Sequence, residues 1–355
     1  MAHPDGRTFV WSGDGRGRHV KLVTMTGALA ALLLVLGVVA LDLAGPEQAP
    51  APVVELQAVP IAPGDADEPE PESEPAPEPD PDPLPTDPDS RAAFEERYPA
   101  QAAAERAAGP HEDRWALLIG INEHLGTVAD AHASREDAEL LREMLLETGW
   151  NDERIVLMTD TDATGQMIHE GLSWLARKAG DDADVVLHYS GHSKKWYGEG
   201  GAILDMALWS TDDDFVRRDE LATSLDAIPH GRLWGNFATC NAEGFHEAGL
   251  ADDGRVFTYS SQTPEKSYED PEFGNSVWGR FLLGEVLWQD GTNTDLGTVS
   301  IQAAFEAAAP MANQRTATQR YGPQNPVLHD DLGEPFHLAA VDAATSPRSL
   351  VLLAH

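Results

Sequence analysis

Three patterns of hydrophobic and polar positions follow one another along this chain. Residues 22–41, LVTMTGALAALLLVLGVVAL, carry no charged side chain. Twenty helical residues rise ~30 Å, about the thickness of a hydrocarbon core, so this run predicts a transmembrane helix. Residues 42–90 then hold 14 prolines and 14 acidic residues, with no basic or aromatic side chain among them. Such a segment cannot bury enough apolar surface to offset chain entropy, and proline stiffness and self-repulsion extend it. It reads as a disordered stalk.

From residue 112 to 340 the pattern changes again. Short apolar runs of strand length alternate with amphipathic stretches at helical spacing. WALLIGI (115–121), Ile155–Met158, Asp184–Tyr189, Arg232–Ala238 and Arg255–Ser260 read as strands. Between or after them, 134–149, 164–179, 218–228, 275–288 and 300–309 read as helices, while the Gly- and Asp-rich stretch after residue 189 reads as irregular. Residues 91–109 have helical propensity interrupted by Pro99. This alternation predicts an α/β domain, an open and mostly parallel sheet with helices on both faces. In such sheets the site lies beyond the carboxyl ends of the strands. Residues 341–355 read as a C-terminal tail.

Charge settles orientation. Arg7, Arg16, Arg18 and Lys21 precede the apolar run, and no Lys or Arg follows it until Arg91. The positive-inside bias therefore predicts a cytoplasmic tail over 1–21, a single span, and a domain outside the cytoplasm. A cleaved signal peptide is the rival reading; the run is long for one, and Asp42-Leu43-Ala44-Gly45 makes a poor cleavage site. The chain carries 24 Lys and Arg against 60 Asp and Glu, a net charge of −36. A surface of that sign repels phosphate backbones and argues against nucleic-acid binding.

Cys240 is the only cysteine. It excludes an intrachain disulfide and a thiolate zinc cluster, and leaves two readings, a buried apolar side chain or a nucleophile. His188-Tyr189-Ser190-Gly191-His192-Ser193 follows the third predicted strand, and Phe237-Ala238-Thr239-Cys240-Asn241 closes the fourth. If both strands are central and parallel, His192 and Cys240 emerge at one sheet edge, where an imidazole can take a thiol proton.

WALLIGI, EDA at 136–138, HYSGHS and ATC together resemble the caspase, metacaspase and bacterial caspase-like cysteine peptidases. The 48-residue separation of His192 and Cys240 agrees with the ~50 of caspases. Tyr259–Gln262, Phe273–Trp278 and Gln324–Pro326 with Gly333–Phe336 resemble later segments of that family. The resemblance implies a cysteine endopeptidase acting on proteins or peptides, with Cys240 as nucleophile and His192 as base. It also implies an oxyanion hole made by the backbone N–H groups of Ser193 and Cys240. No cofactor is required by such a mechanism.

Three departures qualify the resemblance. Ser193 stands where the family has glycine, Ala238 where metacaspases carry the aspartate that helps bind a basic P1 side chain, and Asn241–Gly244 lengthens the turn after the cysteine. Asp212 and Asp214, with Glu123 after the first strand, are the candidates to supply the missing negative charge and line a pocket for a basic P1 residue. The Asp212–Asp214 cluster also has the ligand chemistry that suits calcium. The substitutions at Ser193 and Ala238 equally motivate an alternative, a catalytically impaired caspase-like module that binds or scaffolds at the membrane.

Overall fold

The computed structural model describes residues 87–109, 112–250, 254–289 and 297–340. The predicted tail 1–21, span 22–41, most of the stalk and the tail 341–355 lie outside these residues. Among the described residues no helix is long and apolar enough to cross a membrane.

The packed domain begins earlier than the pattern predicted. Helix α1 (Pro88–Arg97) starts within the expected stalk, with Asp87 accepting from the Asp89 N–H as a cap and Pro88 at the first helical position. Helix α2 (Pro99–Ala103) follows. Phe94 is fully buried and lies 6.2 Å from the ring of Trp174. This apolar anchor is why the chain is ordered there despite its acidic surroundings.

Strand β1 (Arg114–Gly120), helix α3 (Ser134–Glu147), strand β2 (Ile155–Thr159), helix α4 (Gly165–Lys178) and strand β3 (Asp184–Ser190) alternate as predicted. Three strands then form a separate small sheet: β4 (Ser193–Tyr197), β5 (Ile203–Trp209) and β6 (Phe215–Arg217). Helix α5 (Arg218–Asp226), strand β7 (Arg232–Ala238) and strand β8 (Arg255–Tyr259) return the chain to the main sheet. Two short strands, β9 (Glu269–Asp270) and β10 (Asn275–Ser276), pair with each other. The turn α6 (Val277–Gly279) runs into a π-helix (Arg280–Trp288), and helix α7 (Ile301–Thr316) and strand β11 (Val327–Asp330) complete the domain.

The main sheet has the order β11-β8-β7-β3-β1-β2. All neighbours are parallel except β11, which pairs antiparallel with β8 at the edge. Because successive strand side chains point to opposite faces, the runs that looked uniformly apolar divide into two cores. Leu117, Ile119, Val185, Leu187, Tyr189 and Phe237 face the side of α4 and α5. Ala116, Leu118, Val186, Trp234 and Ala238 face the side of α3, the π-helix and α7. Fully burying each such Leu or Val contributes about 1.5–3 kcal/mol. A sheet covered on both faces leaves only its strand ends open, and the carboxyl ends of β3 and β7 are where the candidate chemistry falls.

Candidate active site

The register of the two central strands aligns the candidate residues. Ser190 of β3 lies opposite Ala238 of β7, and the Gly191 N–H carries the ladder one step further to the Ala238 carbonyl (3.3 Å). His192 and Cys240 each stand two residues beyond that matched pair. The Ser193 hydroxyl donates to the Cys240 carbonyl at 2.7 Å, tying the two strand tips together. The side chain that departs from the family's glycine thus has a role of its own here.

His192 is held from several directions. Its backbone carbonyl accepts from the Tyr189 hydroxyl (2.5 Å) and from the Trp209 N–H (3.1 Å). Its ring Nε2 lies 2.9 Å from the Ala129 carbonyl. A carbonyl can only accept, so Nε2 carries the proton and Nδ1 is left as the basic atom. The rings of His124 and Trp209 flank it at 5.1 and 6.4 Å. Burial among them lowers the His192 pKa below the ordinary histidine value; the Ala129 carbonyl, Glu269 and Asp130 oppose this, while Lys266 adds to it. Burial likewise pushes His124 down to about 4, with His192 contributing.

Cys240 is partly exposed. Its sulfur rests against the backbone of Ser267, 3.5 Å from the N–H and 3.7 Å from the carbonyl. The next residue, Asn241, has left-handed backbone (φ 55°) that asparagine tolerates better than most side chains, and its N–H donates to the Glu265 carbonyl (2.8 Å). That sharp turn lifts the cysteine out of the strand.

Two backbone donors are free at this edge. The Trp209 N–H donates to the His192 carbonyl beside the opposed pair Ser193 and Leu208. That pair is therefore the non-hydrogen-bonded kind, and the Ser193 N–H points away from β5. Among the described residues the Cys240 N–H has no acceptor.

Beneath the histidine loop lies Asp137 of α3, fully buried. It accepts from the Ser190 hydroxyl (2.9 Å), the Asn275 amide (3.1 Å) and the Ser276 N–H (3.1 Å). Gly279 packs against it so closely that a Cβ there would collide with the carboxylate. Burial raises the Asp137 carboxyl to about 6, against the pull of these hydrogen bonds. Asp137→Ala strands three donors in a dry pocket, and at ~1–3 kcal/mol for each unsatisfied group we expect a loss of at least about 3 kcal/mol in urea unfolding. Asp137→Asn, which keeps the size and an acceptor, should lose less. A raised carboxyl stabilises the fold when protonated, fully below 3.8, and that contribution is lost as pH rises through about 6. The stability of the native chain relative to Asp137→Asn should therefore decline over that window.

The remaining sequence candidates sit at the same sheet edge, and only some of their carboxylates are already engaged. The Asp212 carboxylate accepts from the Gly165 N–H at the start of α4 (3.0 Å) and from Ser210 (2.6 Å). Asp213 accepts from the Trp209 indole (2.7 Å) and the Thr127 N–H (2.9 Å). Asp214 is exposed, with its carboxyl raised by burial of its oxygens and by Asp212. Glu123 is exposed; its backbone N–H donates to Asp160 and its carbonyl accepts from Thr211. Among the described residues no cluster of three or more His, Cys, Asp or Glu side chains has the arrangement of a metal site. Asp212 and Asp213 each spend carboxylate oxygens on these protein donors, which leaves the cluster a poor fit for calcium. Sequence reading missed His124, Lys266 and the Ala129 carbonyl, because nothing in local spacing links two distant loops to one imidazole.

Sequence comparison identifies the family. The caspase-domain model of the peptidase C14 family matches residues 113–307, and the chain belongs to that family. Metacaspase-4 of Arabidopsis thaliana is 29% identical over 184 residues, covering 48% of this chain and 43% of that protein. Metacaspase-6 of the same plant is 26% identical over 212 residues, covering 54% and 56%. The chain thus spans about half the length of these curated relatives. A crystal structure of a protein from Geobacter sulfurreducens superposes with a TM-score of 0.47 at 16% identity, over 65% of this chain and 96% of that one.

Proposed function

We propose that the chain is a membrane-anchored cysteine endopeptidase using Cys240 and His192. One observation carries this reading: the matched register of β3 and β7, with the Ser193 hydroxyl bridging to the Cys240 carbonyl, sets both residues at one open sheet edge. In the proposed mechanism Nδ1 of His192 takes the thiol proton and the sulfur attacks the scissile carbonyl. The N–H groups of Ser193 and Cys240 donate to the tetrahedral oxyanion. Collapse breaks the C–N bond, and the imidazolium gives its proton to the departing amine. Water, deprotonated by the same imidazole, then hydrolyses the thioester and restores the thiol.

The family's peptidase activity and its protein substrates support this assignment. The departures do not remove the donors the mechanism needs, since serine at 193 retains its N–H. We propose a basic P1 side chain, drawn by the exposed carboxylate of Glu123 and by the acidic groups Glu269 and Asp130 that act on His192. Residues 22–41 would anchor the chain and 42–86 would hold the domain outside the cytoplasm.

One experiment addresses both chemistry and topology. A membrane-impermeant, thiol-acylating peptide probe ending in arginine is applied to intact cells carrying the full chain. Labelling of Cys240 much faster than free cysteine is expected. Labelling only after lysis would reverse the topology, and labelling no faster than free cysteine would overturn the peptidase assignment.

A further inference from the structure

The small sheet β4–β5–β6 grows directly out of the histidine loop. Its register places Ser193 opposite Leu208, Lys194 opposite Ala207, and Phe215 opposite Trp209, with Trp209 bonded back to the His192 carbonyl. Opposed residues share a face and alternate residues reverse it. Met206, Leu208 and Val216 are therefore on one face, buried in the core beside α4 and α5. Lys194, Trp196, Trp209, Phe215 and Arg217 are on the other, the face that also carries His192, and all five are only partly buried.

These side chains form a continuous row leading away from the imidazole. Ring centroids step from His192 to Trp209 (6.4 Å), from Trp209 to Phe215 (5.4 Å) and from Phe215 to Trp196 (5.5 Å). The Lys194 ammonium sits 5.1 Å from the Trp209 ring and 5.9 Å from the Phe215 ring. Arg217 covers Trp196 but is neutralised by Asp205. Lys194 has no carboxylate partner among the described residues. In a chain with 60 acidic and 24 basic residues, a cation seated on two rings and left without a counter-charge is set up to receive one.

The direction of the row says which part of a substrate would meet it. In the proposed mechanism His192 protonates the leaving amine, so the substrate beyond the scissile bond must pass the imidazole on the side away from Cys240. An extended peptide advances about 3.3 Å per residue, so the Trp209 ring lies about two residues past the cleaved bond and the Phe215 ring three to four, with the Lys194 ammonium seated between them. We propose that Lys194, Trp209 and Phe215 form a leaving-group-side subsite that selects an acidic side chain at the second or third residue past the scissile bond. The proposal rests on the peptidase reading and adds a specificity on the opposite side of the bond from P1.

Because the leaving group is gone before the thioester is hydrolysed, the preference belongs to acylation and is read in kcat/KM. The test uses the full chain in detergent and internally quenched peptides sharing the best-cleaved acyl sequence from a peptide library. They carry Glu, Gln or Lys at the second and third positions beyond the bond, and the same acyl sequence is also made as an aminocoumarin amide with no residue there. For the native chain, Glu peptides should exceed Lys peptides about tenfold. The ratio should fall to near one in Lys194→Gln and invert in Lys194→Glu; as a ratio it does not depend on how much variant folds. A ratio near one in the native chain, or one unchanged in both variants, overturns the subsite while cleavage of the coumarin amide leaves the peptidase reading intact. No cleavage of any substrate overturns both.

Discussion

Cys240→Ala is expected to lower peptide hydrolysis by at least ~10⁴-fold while leaving the fold in place. The magnitude follows from removing a nucleophile that no neighbour can replace: the chain has no second cysteine, and what survives in such variants is transition-state binding alone. The fold should survive because the sulfur's hydrogen bonds among the described residues are weak ones to the Ser267 backbone, at 3.5 and 3.7 Å, and it is partly exposed. Its loss removes only weak sulfur contacts from the half-buried Ser267 backbone, so the stability change should stay within about 1 kcal/mol. The measurements are kcat/KM on a library-selected peptide and the urea midpoint of the same preparation. Retained hydrolysis in this variant would falsify the nucleophile assignment.

The second large effect concerns His192. Replacement by alanine should cost about 10²–10⁴ in kcat/KM, the usual worth of a positioned acid–base group. The native enzyme should also carry a diagnostic pH profile. Burial beside His124 and Trp209 lowers the His192 pKa, so the neutral, basic form persists into more acidic solution than for a free histidine. The acid limb of kcat/KM should therefore have its midpoint below 6.5. At pH 6 an unperturbed imidazole would be only about one quarter neutral, whereas this site should retain a larger share of its activity than that. An acid limb centred above 6.5 would mean that the imidazolium, rather than the neutral ring, is favoured at the site.

Asp137 and Lys194 extend the same logic outward. Asp137 holds the end of β3, two residues before His192, through Ser190 and secures the start of the π-helix region through Ser276. As an acidic residue in the first turn of α3 it could be read as a helix cap. That it also supports the histidine loop depends on β3, β10 and α3 meeting, which no local pattern encodes.

The hydrophobic pattern alone determined the alternation of β1, α3, β2, α4, β3, α5, β7 and β8, because each element's apolar period is a local property of its own residues. It also pointed to His192 and Cys240, since each directly follows an apolar strand and the site of an open parallel sheet must lie at strand ends. The small β4–β5–β6 sheet and the edge strand β11 were among the elements that escaped. The run containing β4, β5 and β6 looked irregular because Asp205 is buried and paired with Arg217 and Arg218, so its polar residue masked a strand. β11 carries half-exposed, partly polar side chains, as an edge strand does, and its pairing with β8 is decided by a neighbour 68 or more residues earlier in the chain. Only the tertiary structure brought the Ala129 carbonyl, His124 and Lys266 to one imidazole, and laid a cationic aromatic row beside it. Contacts between distant loops are set by how helices and strands pack, and packing has no period that a sequence can display.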